Sequence, residues 1–147
     1  MKRWSSLQRE LYKIIDDKIN FQIHLSVYRM NSGRGSADLP RYWITLDKEI
    51  VFDYPKQFII ANDDETVLYP YQTDVPEISD LIREYIDTPK SEVFEKKFLN
   101  DKWGLSDILK SADKRFGKKK LQLLQKETTS SAARKIIAQR SRPDPDA

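Results

Sequence analysis

The chain contains no cysteine. A disulfide scaffold and a cysteine-ligated metal site are therefore excluded, and the composition fits a reducing compartment such as the cytoplasm. Histidine is nearly absent as well. His24 is the only one, whereas a His-based zinc site of the common kinds needs more. A general-base role for His24 lacks a nucleophile supplied by any motif. Long apolar runs are missing: M-K-R-W-S-S-L-Q-R-E opens the chain without a signal core. Nothing approaches the roughly 18 apolar residues of a membrane span, and no internal repeat is present. These absences predict a cytoplasmic protein with no membrane contact, no cofactor and no resident metal.

What remains is a charged, aromatic-rich chain. Its 147 residues suit one domain, and folding at this size hides roughly 68–70% of the unfolded surface. Hydrophobic residues are 39%, with three Trp, seven Tyr and six Phe, too many aromatics for a disordered chain. The net charge of +3 is unevenly placed. Residues 118–147 hold eight Lys or Arg against three Asp or Glu, a net +5, leaving −2 on 1–117. Whole-chain charge is thus a poor guide to partners.

The periodicity predicts an α+β fold: an N-terminal helix, an antiparallel sheet of four or five strands, then a C-terminal run of helices. Ser5 or Ser6 can cap a first helix whose apolar face is Leu7, Leu11, Ile14, Ile15 and Ile19. Trp4 can staple back onto that face. Phe21, Ile23, Leu25 and Val27 alternate with polar neighbours, as in a half-covered strand. S-G-R-G-S at 32–36 lacks phosphate-loop spacing and links strands. Tyr42, Ile44 and Leu46, then Ile50 and Phe52, flank Asp47-Lys48-Glu49 as a hairpin. Q-F-I-I-A, N-D-D-E and T-V-L-Y at 57–69 repeat the pattern.

Helical spacing takes over after residue 73. Asp74 and Pro76 can open a helix striped by Ile78, Leu81, Ile82, Tyr85 and Ile86. Val93, Phe94, Phe98 and Leu99 suggest another. Leu105, Ile108, Leu109, Ala112 and Phe116 line a further helix, with Gly117 as its left-handed C-terminal cap. K-K-K-L-Q-L-L-Q-K can form a short helix, T-T-S-S breaks it, and S-A-A-R-K-I-I-A-Q-R can start one more. The expected division is a single α+β domain over 1–121 and a basic, partly helical or disordered tail over 122–147.

Three sets of residues are candidates for function. Asp47, Glu49 and Asp53, with Lys48 and Lys56, are residue types a metal-dependent nuclease uses, but their placement fits the wet side of a hairpin better. With the second acidic turn, Asp63, Asp64 and Glu65, the acids Asp47 and Glu49 can form a docking surface for a basic protein. Lys110, Lys114, Arg115, Lys118, Lys119 and Lys120 crowd a helix end. The bland explanation is that cations suit a helix C-terminus; the functional one is phosphate binding. The helices expected over 89–117 resemble a helix-turn-helix in outline only, without a base-reading array.

Four blocks carry a family resemblance: R-W-S-S-L-Q, L-P-R-Y-W-I-T-L-D-K-E-I-V-F-D-Y-P, I-R-E-Y-I-D-T-P and K-W-G-L-S-D-I-L-K-S-A-D-K-R-F-G-K-K-K-L. Over most of 3–121 the chain resembles a family of small bacterial proteins, largely without an assigned reaction. Some members resemble immunity partners encoded beside LXG-type polymorphic toxins, several of which are nucleases. The resemblance implies an antitoxin that binds the C-terminal domain of its cognate toxin in the cytoplasm. It carries over no functional residues, and the basic tail departs from the acidic immunity proteins of nuclease toxins. A nucleic-acid-binding module using the basic C-terminal helices is the alternative, and a small hydrolase using the hairpin acids is a third.

Overall fold

The computed structural model describes residues 4–32, 35–54, 76–98, 101 and 104–141. Over them the fold is α+β, with an N-terminal helix, an antiparallel sheet and C-terminal helices. Helix α1 (Trp4–Tyr12) leads into β1 (Phe21–Ser32), β2 (Gly35–Leu46) and β3 (Glu49–Tyr54). These strands pair antiparallel in the order β1-β2-β3. Helices α2 (Pro76–Asp87), α3 (Lys90–Val93), α4 (Leu105–Ala112), α5 (Lys118–Glu127) and α6 (Ser131–Arg140) follow. Three strands are thus found among the described residues; the further pair expected at 57–69 lies outside them.

Alternation decides which sheet face is dry. Phe21, Ile23, Tyr42, Ile44, Leu46, Phe52 and Tyr54 are buried on one face and join the core of α1, α2, α4 and α6. Helix α1 also guards the sheet edge. The backbone N–H of Ile23 donates to Tyr12 Oη at 3.0 Å, and Gln8 Nε2 donates to the Ile23 carbonyl at 2.7 Å. These bonds occupy strand groups that otherwise invite another chain. Tyr42 ties the sheet to α2 through a 2.9 Å hydroxyl contact with Ser79.

In β3 the expected pairing of Ile50 with Phe52 on one face fails. Thr45 pairs with Ile50, but Ile44 pairs with Phe52, so Val51 is the extra residue of a bulge. The bulge turns Ile50 outward, where it is 53% exposed, while Phe52 stays buried. At the hairpin turn Asp47 and Lys48 have φ of 51° and 71°, the left-handed pair of a type I′ turn. Lysine there crowds its Cβ against the backbone, and its exposed side chain is no obstacle to removal. Lys48→Gly is expected to stabilise the fold by about 1 kcal/mol. A urea midpoint unchanged or lowered by this substitution would show that the turn stores no such strain.

Several helices differ in extent from their sequence pattern. The first ends at Tyr12 rather than running to Ile19, because Ile15 leaves the helix to bridge Asp113. There Asp16 N–H donates to the Ala112 carbonyl and Lys114 N–H to the Ile14 carbonyl, both at 2.8 Å. Trp4 is already inside the helix and packs edge-on against Tyr42, ring centroids 5.3 Å apart. Among the described residues the helix expected around Val93–Leu99 is a single turn, α3, so the helix-turn-helix outline has only that turn in place of its first helix, and Leu99 lies outside them. Helix α4 starts where the Asp101 carboxylate accepts from the Leu105 and Ser106 N–H groups at 3.0 and 2.8 Å. It stops at Ala112, since Asp113 turns extended to meet Ile15. Gly117 is therefore not a left-handed C-cap: its φ and ψ are −88° and −174°, and it precedes α5.

The expected boundary at residue 121 falls inside α5. Ala132, Ala133 and Ile136 of α6 share the main core, and Leu121, Leu124 and Ile137 form a small cluster beside it. Packing therefore continues through the segment expected as a tail. Residues 142–147 lie outside the described residues.

Candidate functional site

The hairpin acids do not converge. Asp47, Lys48 and Glu49 are exposed at the turn. Asp47 is held from behind, with its N–H donating to the Asn20 carbonyl at 3.0 Å and its carboxylate accepting from Gln139 Nε2 at 2.5 Å. Asp53 lies further along β3 and binds Arg41 instead, through Nε at 2.9 Å and Nη2 at 2.7 Å. Among the described residues, no group of three or more His, Asp or Glu side chains is placed to hold a metal ion. Lys56, Asp63, Asp64 and Glu65 lie outside the described residues.

The outer face of the sheet carries the more organised surface. His24, Trp43 and Asp53 stand opposite one another across the three strands. The His24 ring stacks on Trp43 with centroids 5.0 Å apart and planes 19° off parallel. The Arg41 guanidinium lies 4.9 Å from the Trp43 ring centroid while Asp53 grips it in a fork. Cation–π contact and a two-pronged ion pair together fix the Arg41 plane. His24 Nε2 also meets Thr45 Oγ1 at 3.1 Å, and Thr45 pairs with exposed Ile50 at the hairpin end. Trp43 takes no part in the hydrophobic core of the described residues and is only half-buried. A row of aromatic ring, guanidinium and imidazole thus runs from the turn along the outer face.

The basic candidates separate into different roles. Lys110 is buried, at 7% exposure. Its ammonium donates to the Lys96 carbonyl at 3.1 Å and lies over the Phe98 ring, and burial pushes its pKa down. Arg115 is committed to Asp113, with Nε at 2.9 Å and Nη2 at 2.6 Å from its oxygens, a hydrogen bond that raises its pKa. Neither suits the phosphate-binding role expected of them. Lys114, Lys118, Lys119 and Lys120 are exposed, but the triplet opens α5 rather than closing a helix. The dipole explanation is therefore reversed in sign, because cations at a helix N-terminus face its positive end.

A buried polar junction takes in only one of the sequence candidates, Arg115. Asp113 is fully buried and accepts from Tyr85 Oη at 2.8 Å and from Arg115. Beside it, Arg140 sends Nε to Asp16 at 2.8 Å, Nη1 to the carbonyls of Ser111 and Asp113 at 2.8 and 3.0 Å, and Nη2 to that of Phe116 at 3.0 Å. Every group there is matched, so the junction holds structure together instead of presenting reactive groups. The one advance signal was residue type: an aspartate flanked by Ala112 and two cations, four residues before a glycine.

Among the described residues no helix is long and apolar enough to cross a membrane. Comparison with curated proteins and with solved structures gives no match. A family profile does match, over residues 3–75 and 59–141, which together take in nearly the whole chain, fold and outer face included. On that match the chain belongs to the SF0329 protein family.

Proposed function

We propose that this is a stoichiometric binding protein, an immunity protein or antitoxin of the cytoplasm. It neutralises a cognate polymorphic toxin, a nuclease such as the RNase of an LXG-type toxin, by occluding the toxin's C-terminal domain. The observation that supports binding over catalysis is Trp43 on the outer sheet face, stacked by His24 and overlain by an Arg41 that Asp53 holds flat. Trp and Arg dominate the energetic centres of protein interfaces when a rigid surround excludes water. Here the surround is built in advance, so little side-chain freedom is lost on docking. Ile50 extends the face to the hairpin end as an exposed apolar contact, while Glu49, paired opposite buried Leu46, adds an exposed acid at the turn itself. Asp47 is a second exposed acid at that turn, its carboxylate held by Gln139 of α6. The choice of a toxin as partner rests on the resemblance carried by the four sequence blocks.

Calorimetric titration with the toxin domain encoded beside this gene tests the reading. A one-to-one complex is expected. Trp43→Ala should weaken it by about 2–4 kcal/mol, roughly 30- to 1000-fold in Kd. The melting temperature should stay within about 4 °C of the parent, because Trp43 lies outside the core formed by the described residues. A toxin domain that kills equally well with and without this protein would remove the immunity reading. Undiminished binding by the Trp43 variant would move the interface off this face.

A further inference from the structure

The C-terminal helices carry cations that have no acid partner among the described residues. Between residues 114 and 141, seven Lys or Arg are exposed against one exposed acid, Glu127. They are Lys114, the triplet at 118–120, Lys126, Arg134 and Lys135. Among the described residues none of them pairs with a carboxylate. Lys120 rests over the Phe94 and Phe116 rings, and Arg134 donates to the Thr128 carbonyl at 2.9 Å. The triplet occupies the first turn of α5, which contains no acid and whose Gly117 offers no side-chain cap. Local helix energetics oppose that arrangement, and a broken local rule with no acid partner among the described residues points outward to a partner.

The positive surface also reaches beyond the C-terminal segment. The bridge between Ile15 and Asp113 sets the 13–18 turn against the start of α5, and Lys18 and Lys118 line the same cavity of about 260 Å³. Asp16, in that cavity, is neutralised by Arg140, which leaves Asp17 as the exposed acid of the turn.

We propose that this surface binds the phosphodiester backbone of nucleic acid, without reading sequence. Many separated cations on two helices suit a repeating line of phosphates, each contact releasing counterions. A membrane-lying helix needs an apolar face to insert, and Leu123 is the sole exposed large hydrophobic residue on these described helices. An acidic protein partner would call for aromatic or aliphatic anchors among the cations, and none is exposed there beyond Leu123. The surface lies on different elements from Trp43, so the two activities can be lost separately.

Fluorescence anisotropy of the full chain with short labelled single-stranded RNA, single-stranded DNA and duplex DNA tests this, beginning at about 50 mM salt. Binding is expected with log K falling linearly against log salt, at a slope of about −4 to −6 for five to seven phosphate contacts. The three probes show whether ribose or duplex form matters. In Lys118→Gln/Lys119→Gln the slope should shrink by about 1.5–2, with no fall in melting temperature, since like charges leave the positive helix end. Trp43→Ala should leave the slope unchanged. The proposal is overturned by absent or salt-independent binding, by an unchanged slope in the double variant, by loss in the Trp43 variant, or by tighter binding to phosphatidylglycerol vesicles than to any of the nucleic acids.

Discussion

Arg140→Ala is expected to lower the free energy of unfolding by about 3–4 kcal/mol, near the cost of breaking a buried ion pair. The expectation follows from what the guanidinium holds. Its side chain is 7% exposed, and its partner Asp16 is 16% exposed. Besides Asp16 it satisfies three backbone carbonyls, those of Ser111, Asp113 and Phe116, from the end of α4 and the turn after it. Truncation leaves a carboxylate and three carbonyls short of donors at once, where water has poor access. Lysine should recover little, because an ammonium cannot serve four acceptors lying around a planar fork. Urea unfolding followed by circular dichroism would show a lower midpoint with an unchanged m-value. A fall in m would mean that α6 had detached while the remainder stayed folded. Parent-like stability would mean that the C-terminal helix is not clamped by this residue.

How much of this was legible in the sequence depended on the range of the interaction. The α2 stripe of Ile78, Leu81, Ile82 and Tyr85 is buried as its 3.6-residue spacing requires. The alternation of Phe21, Ile23, Tyr42, Ile44 and Leu46 gave the dry sheet face for the same local reason. The ends of α1 and α4 were not legible, because one long-range bridge, Ile15 to Asp113, sets both. Apolar spacing past Tyr12 and past Ala112 is core packing outside the helices, which periodicity cannot distinguish from helix. Ending α4 early also turned the lysine triplet from a helix terminus into a helix start. The bulge at Val51 escaped for a similar reason, since two valid alternations meet there and only cross-strand pairing reveals the extra residue. For the candidate site, Asp47 and Glu49 were located correctly at a turn. Asp53 was placed on the wet face, but its partner Arg41 is 12 positions away in sequence and adjacent only across strands. The stacking of His24 on Trp43 needs the strand register that pairs them, which alternation within one strand does not supply.

The second large effect is expected at Asp113. Asp113→Asn should cost about 3–5 kcal/mol, a large part of the 5–15 kcal/mol typical of a domain's total stability. The carboxylate is completely buried and accepts from Tyr85 Oη and from Nε and Nη2 of Arg115. An amide removes the charge facing the guanidinium and presents two donors where the site already supplies only donors. Removing the whole set should be gentler: Tyr85→Phe/Asp113→Leu/Arg115→Met is expected to cost far less than the sum of its parts. The pH dependence gives an independent check. Burial, followed by the charge of Asp113, pushes the Tyr85 hydroxyl well above its ordinary pKa. A group whose pKa rises on folding contributes its full stability below its unfolded pKa, here about 10, and loses it as pH climbs from there toward the folded value. The parent should therefore lose stability above about pH 10 more steeply than Tyr85→Phe does. Urea titrations from about pH 8 to pH 11 would measure both slopes. Equal slopes would show that the phenol is not held neutral by this junction, and a mild Asp113→Asn would show that the charge at its centre contributes little to the fold.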